Sequence, residues 1–130
     1  MTLLDTHVWL WWLSDPELLS EPASDAIESA RSSATLAVSS ISVWEMAMLV
    51  EKGRVELVMS PSDLLAHCER LPFLRFVPLT NPIALRSVEL EPFHADPADR
   101  MIVATAVHHG AKLVTKDRRI HDFEEIVSIW

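Results

Sequence analysis

Four acids in this chain sit where acids are costly or oddly placed. Asp5 interrupts "MTLLDTHVWLWW", a run of leucine, valine and tryptophan that reads as a buried strand turning into an apolar helix. A carboxylate there costs several kcal/mol, roughly, unless hydrogen bonds or a cation satisfy it. Glu45, Asp99 and Asp117 each fall at, or one helical turn beyond, a junction between elements. Two carboxylates 4 Å apart repel by on the order of 4 kcal/mol at an effective dielectric near 20. If the fold gathers all four, a cation has to join them. Only oxygen ligands are on offer, so the fitting ions are Mg²⁺ and Mn²⁺.

The elements that position these acids follow from local pattern. Thr2–Leu4 reads as a strand ending at Asp5, with Thr6 the expected cap of a helix reaching Leu13. Ser14–Pro22 reads as a loop, Ser24–Ser33 as a helix and Thr35–Ser39 as a strand. Ser42-Val43-Trp44-Glu45 has the form of a capping box, and Gly53 suits a left-handed stop for the helix it would open. Ser60-Pro61 begins another helix, Arg75–Pro78 is a strand, and Asn81-Pro82 opens a helix to about Leu90. Asp96-Pro97 opens the next, which runs to His109 and stops at Gly110. Lys112–Thr115 and Ile126–Ile129 close the series as strands. Strands alternating with helices, without hairpin signals, predict an α/β fold with a mainly parallel sheet. Ligands of such sheets bind at the carboxyl ends of the strands, which is where the four acids fall.

Each acid also has a local explanation. Glu45 is the third helical residue of the apparent capping box, and Asp96-Pro97-Ala98-Asp99 is a cap plus an acid favoured by the helix dipole. Ser60-Pro61-Ser62-Asp63 shows that same arrangement with no chemistry implied. Asp117 suits a turn. Taken singly, capping accounts for Glu45 and Asp99 better than catalysis does; Asp5 resists such treatment, and the set is more specific than its members.

At 130 residues the chain is expected to form one domain, residues 1–130. Hydrophobic residues make up 49%, with five tryptophans and no tyrosine, which favours an apolar interaction surface. The single cysteine, Cys68, excludes an internal disulfide and suits a reducing compartment. With no basic leader and no apolar run long enough to span a bilayer, the expected location is cytoplasmic, with no membrane partner. The formal charge of −8 argues against nucleic-acid binding by bulk electrostatics, so any such activity needs a local site.

The stretches "LLDTHVWLWW", "SSISVWEMAML", "FHADPADRMIVATAV" and "LVTKDRRI", in that order, resemble the PIN-domain ribonucleases, and among them the VapC-type toxins of bacterial toxin–antitoxin pairs. The likeness spans nearly the whole chain and is weakest between Gly53 and Thr80. It implies a PIN-like three-layer α/β/α sandwich, cleavage of single-stranded regions of RNA with Mg²⁺ or Mn²⁺, neutralisation by a cognate antitoxin, and a homodimer. By position it makes Asp5, Glu45, Asp99 and Asp117 the catalytic and metal-site acids. Asp5 and Asp99 would hold the ion most directly. Thr6 and Thr115 match supporting hydroxyls, and Asp96 matches an additional acid. Removing Asp96 is expected to weaken the helix start by about 1 kcal/mol and to affect activity only indirectly.

Arg100, Lys112, Lys116, Arg118 and Arg119 are candidate phosphate holders, with Lys112 and Arg119 read rather as ordinary surface charges. His7 is read as structural. His67, His94 and His121 have no zinc-ligand spacing. Trp9, Trp11, Trp12 and Trp44 are read as core or interface and not as a base-stacking platform. Two competing readings are another Mg²⁺-dependent phosphohydrolase and a PIN-like binding module without catalysis. A receiver domain would need an aspartate at the end of "LAVSS", and a haloacid-dehalogenase-type phosphatase a second acid at His7.

Overall fold

The computed structural model describes residues 1–90 and 96–130; the 93–95 part of the third motif, and with it His94, lies outside them. Five short strands form one sheet: β1 (Thr2–Leu4), β2 (Leu36–Ser39), β3 (Leu74–Val77), β4 (Lys112–Val114) and β5 (Ser128–Ile129). Their order is β3-β2-β1-β4-β5 and every pairing is parallel. All carboxyl ends therefore meet at one edge. The chain builds outward from β1 through β2 to β3, then returns to β4 on the other side of β1. That reversal makes a crevice at the ends of β1 and β4, the site favoured for ligands in such sheets.

Alternation along the strands divides the interior in two. Leu3, Ala37 and Leu113 face a core built with Ile83, Leu90, Ile102, Val103 and Ala106. These come from α5 (Asn81–Glu89) and α6 (Pro97–His109), with Leu90 just beyond α5. Leu4, Leu36, Val38 and Val114 face the opposite core, with Val8, Trp9, Ile27, Met46, Leu64 and Cys68. The helices on that side are α1 (Thr6–Ser14), α2 (Glu21–Ser32), α3 (Ser40–Glu51) and α4 (Pro61–Glu69). A helix layer on each face of a parallel sheet is the expected three-layer sandwich. No helix among the described residues is long and apolar enough to cross a membrane.

Several helix starts differ from expectation. Asp5, not Thr6, caps α1, its carboxylate accepting from the Thr6 amide. Ser20 caps α2, which begins at Glu21 because proline is tolerated in a first helical turn. Ser39 caps α3, its hydroxyl accepting from the Ile41 amide at 3.2 Å. Ser42 and Glu45 therefore form no capping box: both lie inside the helix, with Glu45 in its second turn. A short helix, α7 (Arg118–His121), follows Asp117 where only a turn was expected. Gly110 ends α6 with φ of +60°, a conformation that costs glycine nothing.

Candidate metal centre at the carboxyl edge of the sheet

The crevice between β1 and β4 gathers the acids. Asp5 leaves the end of β1 and is buried. One carboxylate oxygen accepts from the Thr6 amide at 2.8 Å and the other from the Thr115 hydroxyl at 2.7 Å. The Thr115 oxygen in turn accepts from the Asp117 amide at 3.1 Å, so one buried hydroxyl ties the ends of β1 and β4 together. Burial nonetheless pushes the Asp5 carboxyl above its ordinary value; the bonds from Thr115 and Thr6 and the His7 charge oppose this, and Asp117 adds to it. Hydrogen bonding explains how an acid survives between "TLL" and "THV", but it leaves the charge expensive.

Glu45 reaches the crevice from α3. Ser42, three residues earlier on the same helical face, accepts a hydrogen bond from the Thr6 hydroxyl at 2.8 Å, which docks α3 against the start of α1. Ser42 is the site residue that sequence reasoning missed, because the capping pattern gave it another role. The usable signal was the preceding Ser39-Ser40, which offers the cap one turn earlier. Burial raises the Glu45 carboxyl, and the charges of Asp5 and Asp96 add to the rise. The Thr6 hydroxyl opposes it, although its single proton serves either Ser42 or Glu45 at one time.

Asp96 and Asp99 come from the start of α6. One Asp96 oxygen accepts from the Asp99 amide at 2.9 Å, an N-cap that leaves the second oxygen available. Glu45, Asp96 and Asp99 each offer a carboxylate oxygen, and these lie within 4.8 Å of one another. This trio is the tightest acidic grouping among the described residues. Asp99 feels all the others: burial first, then the charges of Asp5, Asp96, Glu45 and Asp117, push its carboxyl up to about 7. Asp96 stands closer to the centre of the cluster than a pure cap would.

Asp117 stands beside the trio and caps α7. Its oxygens accept from the Arg119 amide at 3.0 Å and from the Arg119 guanidinium at 3.1 and 2.7 Å. That arginine holds its carboxyl below the ordinary value. The same guanidinium lies 3.7 Å from Asp99, so Arg119 bridges two of the acids. The remaining basic candidates separate by place. Arg100 donates to the carbonyls of Ser87, Val88 and Leu90 and closes the end of α5. Lys112 starts β4 and so lies at the opposite edge of the sheet. Lys116 is exposed next to the crevice. His121 bonds to the Thr115 carbonyl and to Ser128, fastening α7 to β4 and β5.

The donor set suits a hard divalent cation. It is all oxygen, it converges from α3 and α6, and raised carboxyl values record the repulsion such an ion relieves. Residues 2–126 match the family model for the PIN domain. The chain is 43% identical to Ribonuclease VapC22 of Mycobacterium tuberculosis over 132 residues, spanning 98% of this chain and 97% of that one. Among solved structures, VapBC2 of Rickettsia felis bound to a promoter DNA fragment superposes with a TM-score of 0.73 at 16% identity. That match covers 98% of this chain and 96% of the other. FitAcB of Neisseria gonorrhoeae gives 0.65 at 23% identity, with coverage of 98% and 96%. The chain belongs to the PIN-domain family and, within it, to the VapC ribonuclease group.

Proposed function

We infer that this protein is a divalent-metal-dependent endoribonuclease that cuts single-stranded regions of RNA, the toxin half of a toxin–antitoxin pair. The observation that carries the reading is the convergence of Glu45, Asp96 and Asp99 within 4.8 Å, flanked by Asp5 and Asp117, at the switch point of a parallel sheet. A catalytically retired relative would have no reason to keep so costly a set. The near full-length likeness to a named ribonuclease supports the choice of substrate. We read residues 1–130 as one PIN-like domain acting in the cytoplasm as a homodimer, restrained by a cognate antitoxin.

The residues divide the work. Glu45, Asp96 and Asp99 would hold Mg²⁺ or Mn²⁺ together with Asp5 and Asp117, each directly or through water; the closeness of the trio gives Asp96 a part that its cap alone did not suggest. The bound ion supplies Lewis acidity, acidifying a water and offsetting charge on the phosphate. Thr115 fixes the orientation of Asp5, and Thr6 with Ser42 fixes α3 and hence Glu45. The Asp99 carboxyl, pushed up to about 7 by burial and its acidic neighbours, is an acid whose charge a bound cation would offset.

The test is cleavage of a structured RNA in Mn²⁺, in EDTA, and by Asp5→Asn and Asp99→Asn variants. Metal-dependent cleavage lost in both variants is expected. Cleavage indifferent to EDTA and to both substitutions rejects the metal mechanism. Expression without a co-expressed antitoxin should arrest growth, and unaffected cells count against the toxin role.

A further inference from the structure

Next to the acids, along the same edge of the sheet, lies a group of rings that the metal site does not use. His7 and Trp11 stand one turn apart on α1, with ring centroids 5.9 Å apart. Trp130 directly follows β5, whose carboxyl end shares the edge with β1 and β4, and its ring lies 6.0 Å from Trp11. Lys116, just past β4, places its ammonium 5.8 Å from the Trp11 ring and 5.9 Å from the Trp130 ring. The row adjoins the metal centre along the chain at both ends: His7 lies two residues after Asp5, and Lys116 stands between Thr115 and Asp117.

This row is only partly core. Trp9 is wholly buried, and Trp12 packs against the core and edge-on against Phe73. Trp130 is half-buried and also packs in part against that core, whereas Trp11 is half-buried outside it and His7 and Lys116 are exposed. An ammonium near 6 Å from two rings is at the outer limit of cation–π contact, so it is held loosely and can be exchanged for another partner. A protein with a formal charge of −8 cannot attract a polyanion by bulk charge. A substrate strand must be held by local devices, and a ring platform beside a single ammonium is such a device.

We propose that His7, Trp11, Trp130 and Lys116 form a nucleotide subsite, in which an unpaired base of single-stranded RNA stacks on the Trp11 ring, bordered by the Trp130 ring tilted 57° to it, while Lys116 holds an adjoining phosphate. This rests on the ribonuclease reading and extends it. Stacking requires a base free of a duplex, so the platform itself selects single-stranded RNA. Every base has a π-face, so the subsite grips without strong sequence preference. The ammonium acts as a point charge on the phosphate, leaving the rings to the base.

The experiment compares an eight-nucleotide single-stranded RNA of mixed bases with an oligomer of equal length carrying abasic residues. Binding is followed in EDTA by tryptophan fluorescence and by anisotropy of a labelled strand. Trp11→Leu should weaken the base-bearing strand about tenfold and leave the abasic strand unchanged. Trp11→Phe should recover most of the loss. Lys116→Gln, at an exposed position that leaves folding alone, should weaken both strands several-fold and reduce the salt dependence by about one ion. In Mn²⁺, Trp11→Leu should raise KM without changing kcat or the affinity for Mn²⁺. The subsite is overturned if neither Trp11→Leu nor Lys116→Gln alters binding or KM, as would happen if the rings receive the antitoxin instead. It is also overturned if the oligomer leaves wild-type tryptophan fluorescence untouched in both EDTA and Mn²⁺. Base-dependent binding through Trp11 without any cleavage in Mn²⁺ would instead sink the ribonuclease reading alone.

Discussion

Two helices of this molecule begin with nearly the same words. α4 starts Ser60-Pro61-Ser62-Asp63 and α6 starts Asp96-Pro97-Ala98-Asp99. In both, the cap side chain accepts from the amide three residues on, at 3.1 Å in α4 and 2.9 Å in α6, and proline occupies the first turn. Local structure does not tell them apart. Their places in the sheet do: α4 leads into β3, an edge strand, whereas α6 leads into β4, beside β1 at the switch point. Asp63 is exposed and makes no ion pair among the described residues, while Asp99 is pressed among four other acids. A nearly matching helix start is scaffolding in one place and a candidate ligand set in the other; topology makes most of the difference, and the carboxylate cap Asp96 in place of Ser60 adds to it.

The strongest way to break this comparison is to neutralise the matching acids. Asp99→Asn should lower Mn²⁺-dependent cleavage at least about a thousandfold and weaken Mn²⁺ binding, because a ligand is lost. Asp63→Asn should stay within about twofold of wild type. Similar losses from the two substitutions, measured by cleavage and Mn²⁺ titration, would show that position in the sheet is not what matters.

A second test uses acidity. With metal removed, the Asp99 carboxyl titrates near 7 in the folded protein against 3.8 for an ordinary aspartate. The stability associated with its protonated form is complete below about 4 and is lost as pH rises through 7. Asp117 runs the other way: Arg119 depresses its value, so its contribution fades only as pH falls below the ordinary range. From pH 5.5 to 8 Asp99, together with the raised carboxyls of Asp5 and Glu45, therefore acts in one direction, and the melting temperature in EDTA should fall by several degrees. Asp99→Asn should reduce that slope and Asp63→Asn should not. Saturating Mn²⁺ should remove it, since the ion replaces the proton.

The same pair of helices shows what the residues alone disclose. The α/β order, the parallel sheet and the four acid-bearing motifs were legible because strand and helix periods and proline caps are local. The left-handed stop at Gly110 was legible for the same reason. The role of Ser42 and the place of Glu45 in the second turn of α3 were not, since a capping box is a local pattern and Ser39, one turn earlier, had already satisfied the helix start. The placement of Asp96 was half-legible: its cap is local, but the approach of its carboxylate to Glu45 depends on two helices from opposite faces of the sheet. Arg100 looked like a phosphate holder by its neighbourhood in sequence, yet its guanidinium donates to the Ser87 and Leu90 carbonyls at the end of α5, which no local pattern brings near. Trp11 and Trp130 join across almost the full length of the chain, and local pattern could only assign Trp11 to a core or an interface.

The caps give a third, smaller contrast. Ser60→Ala removes a plain N-cap and should cost about 1 kcal/mol of stability with or without metal. Asp96→Ala removes a similar hydrogen bond but also one member of a repelling trio. In EDTA the relief of repulsion offsets the lost cap, and Asp96→Ala should be less destabilising than Ser60→Ala. In saturating Mn²⁺ the order should reverse, because a ligand is lost together with the cap. Denaturant melts of both variants in the two conditions check this. Equal costs throughout would return Asp96 to the purely structural role expected from its sequence.

The smallest effect concerns Arg119, which serves the α6 acids and has no counterpart at the start of α4. Its guanidinium occupies both oxygens of Asp117 and lies 3.7 Å from Asp99, while its side chain remains 48% exposed. An exposed pair of this kind is worth about 1 kcal/mol or less, so it competes with an entering cation only weakly. Arg119→Gln should therefore tighten Mn²⁺ binding two- to fivefold, roughly, by releasing Asp117. Arg118→Gln, one residue away on the same short helix, should leave it unchanged. Calorimetric titration of Mn²⁺ into the two variants reads the difference directly. Weaker binding in Arg119→Gln would mean that the arginine holds Asp117 in its ligating orientation instead of competing for it, and the contrast between α6 and α4 would then rest on an organised site rather than on crowded charge alone.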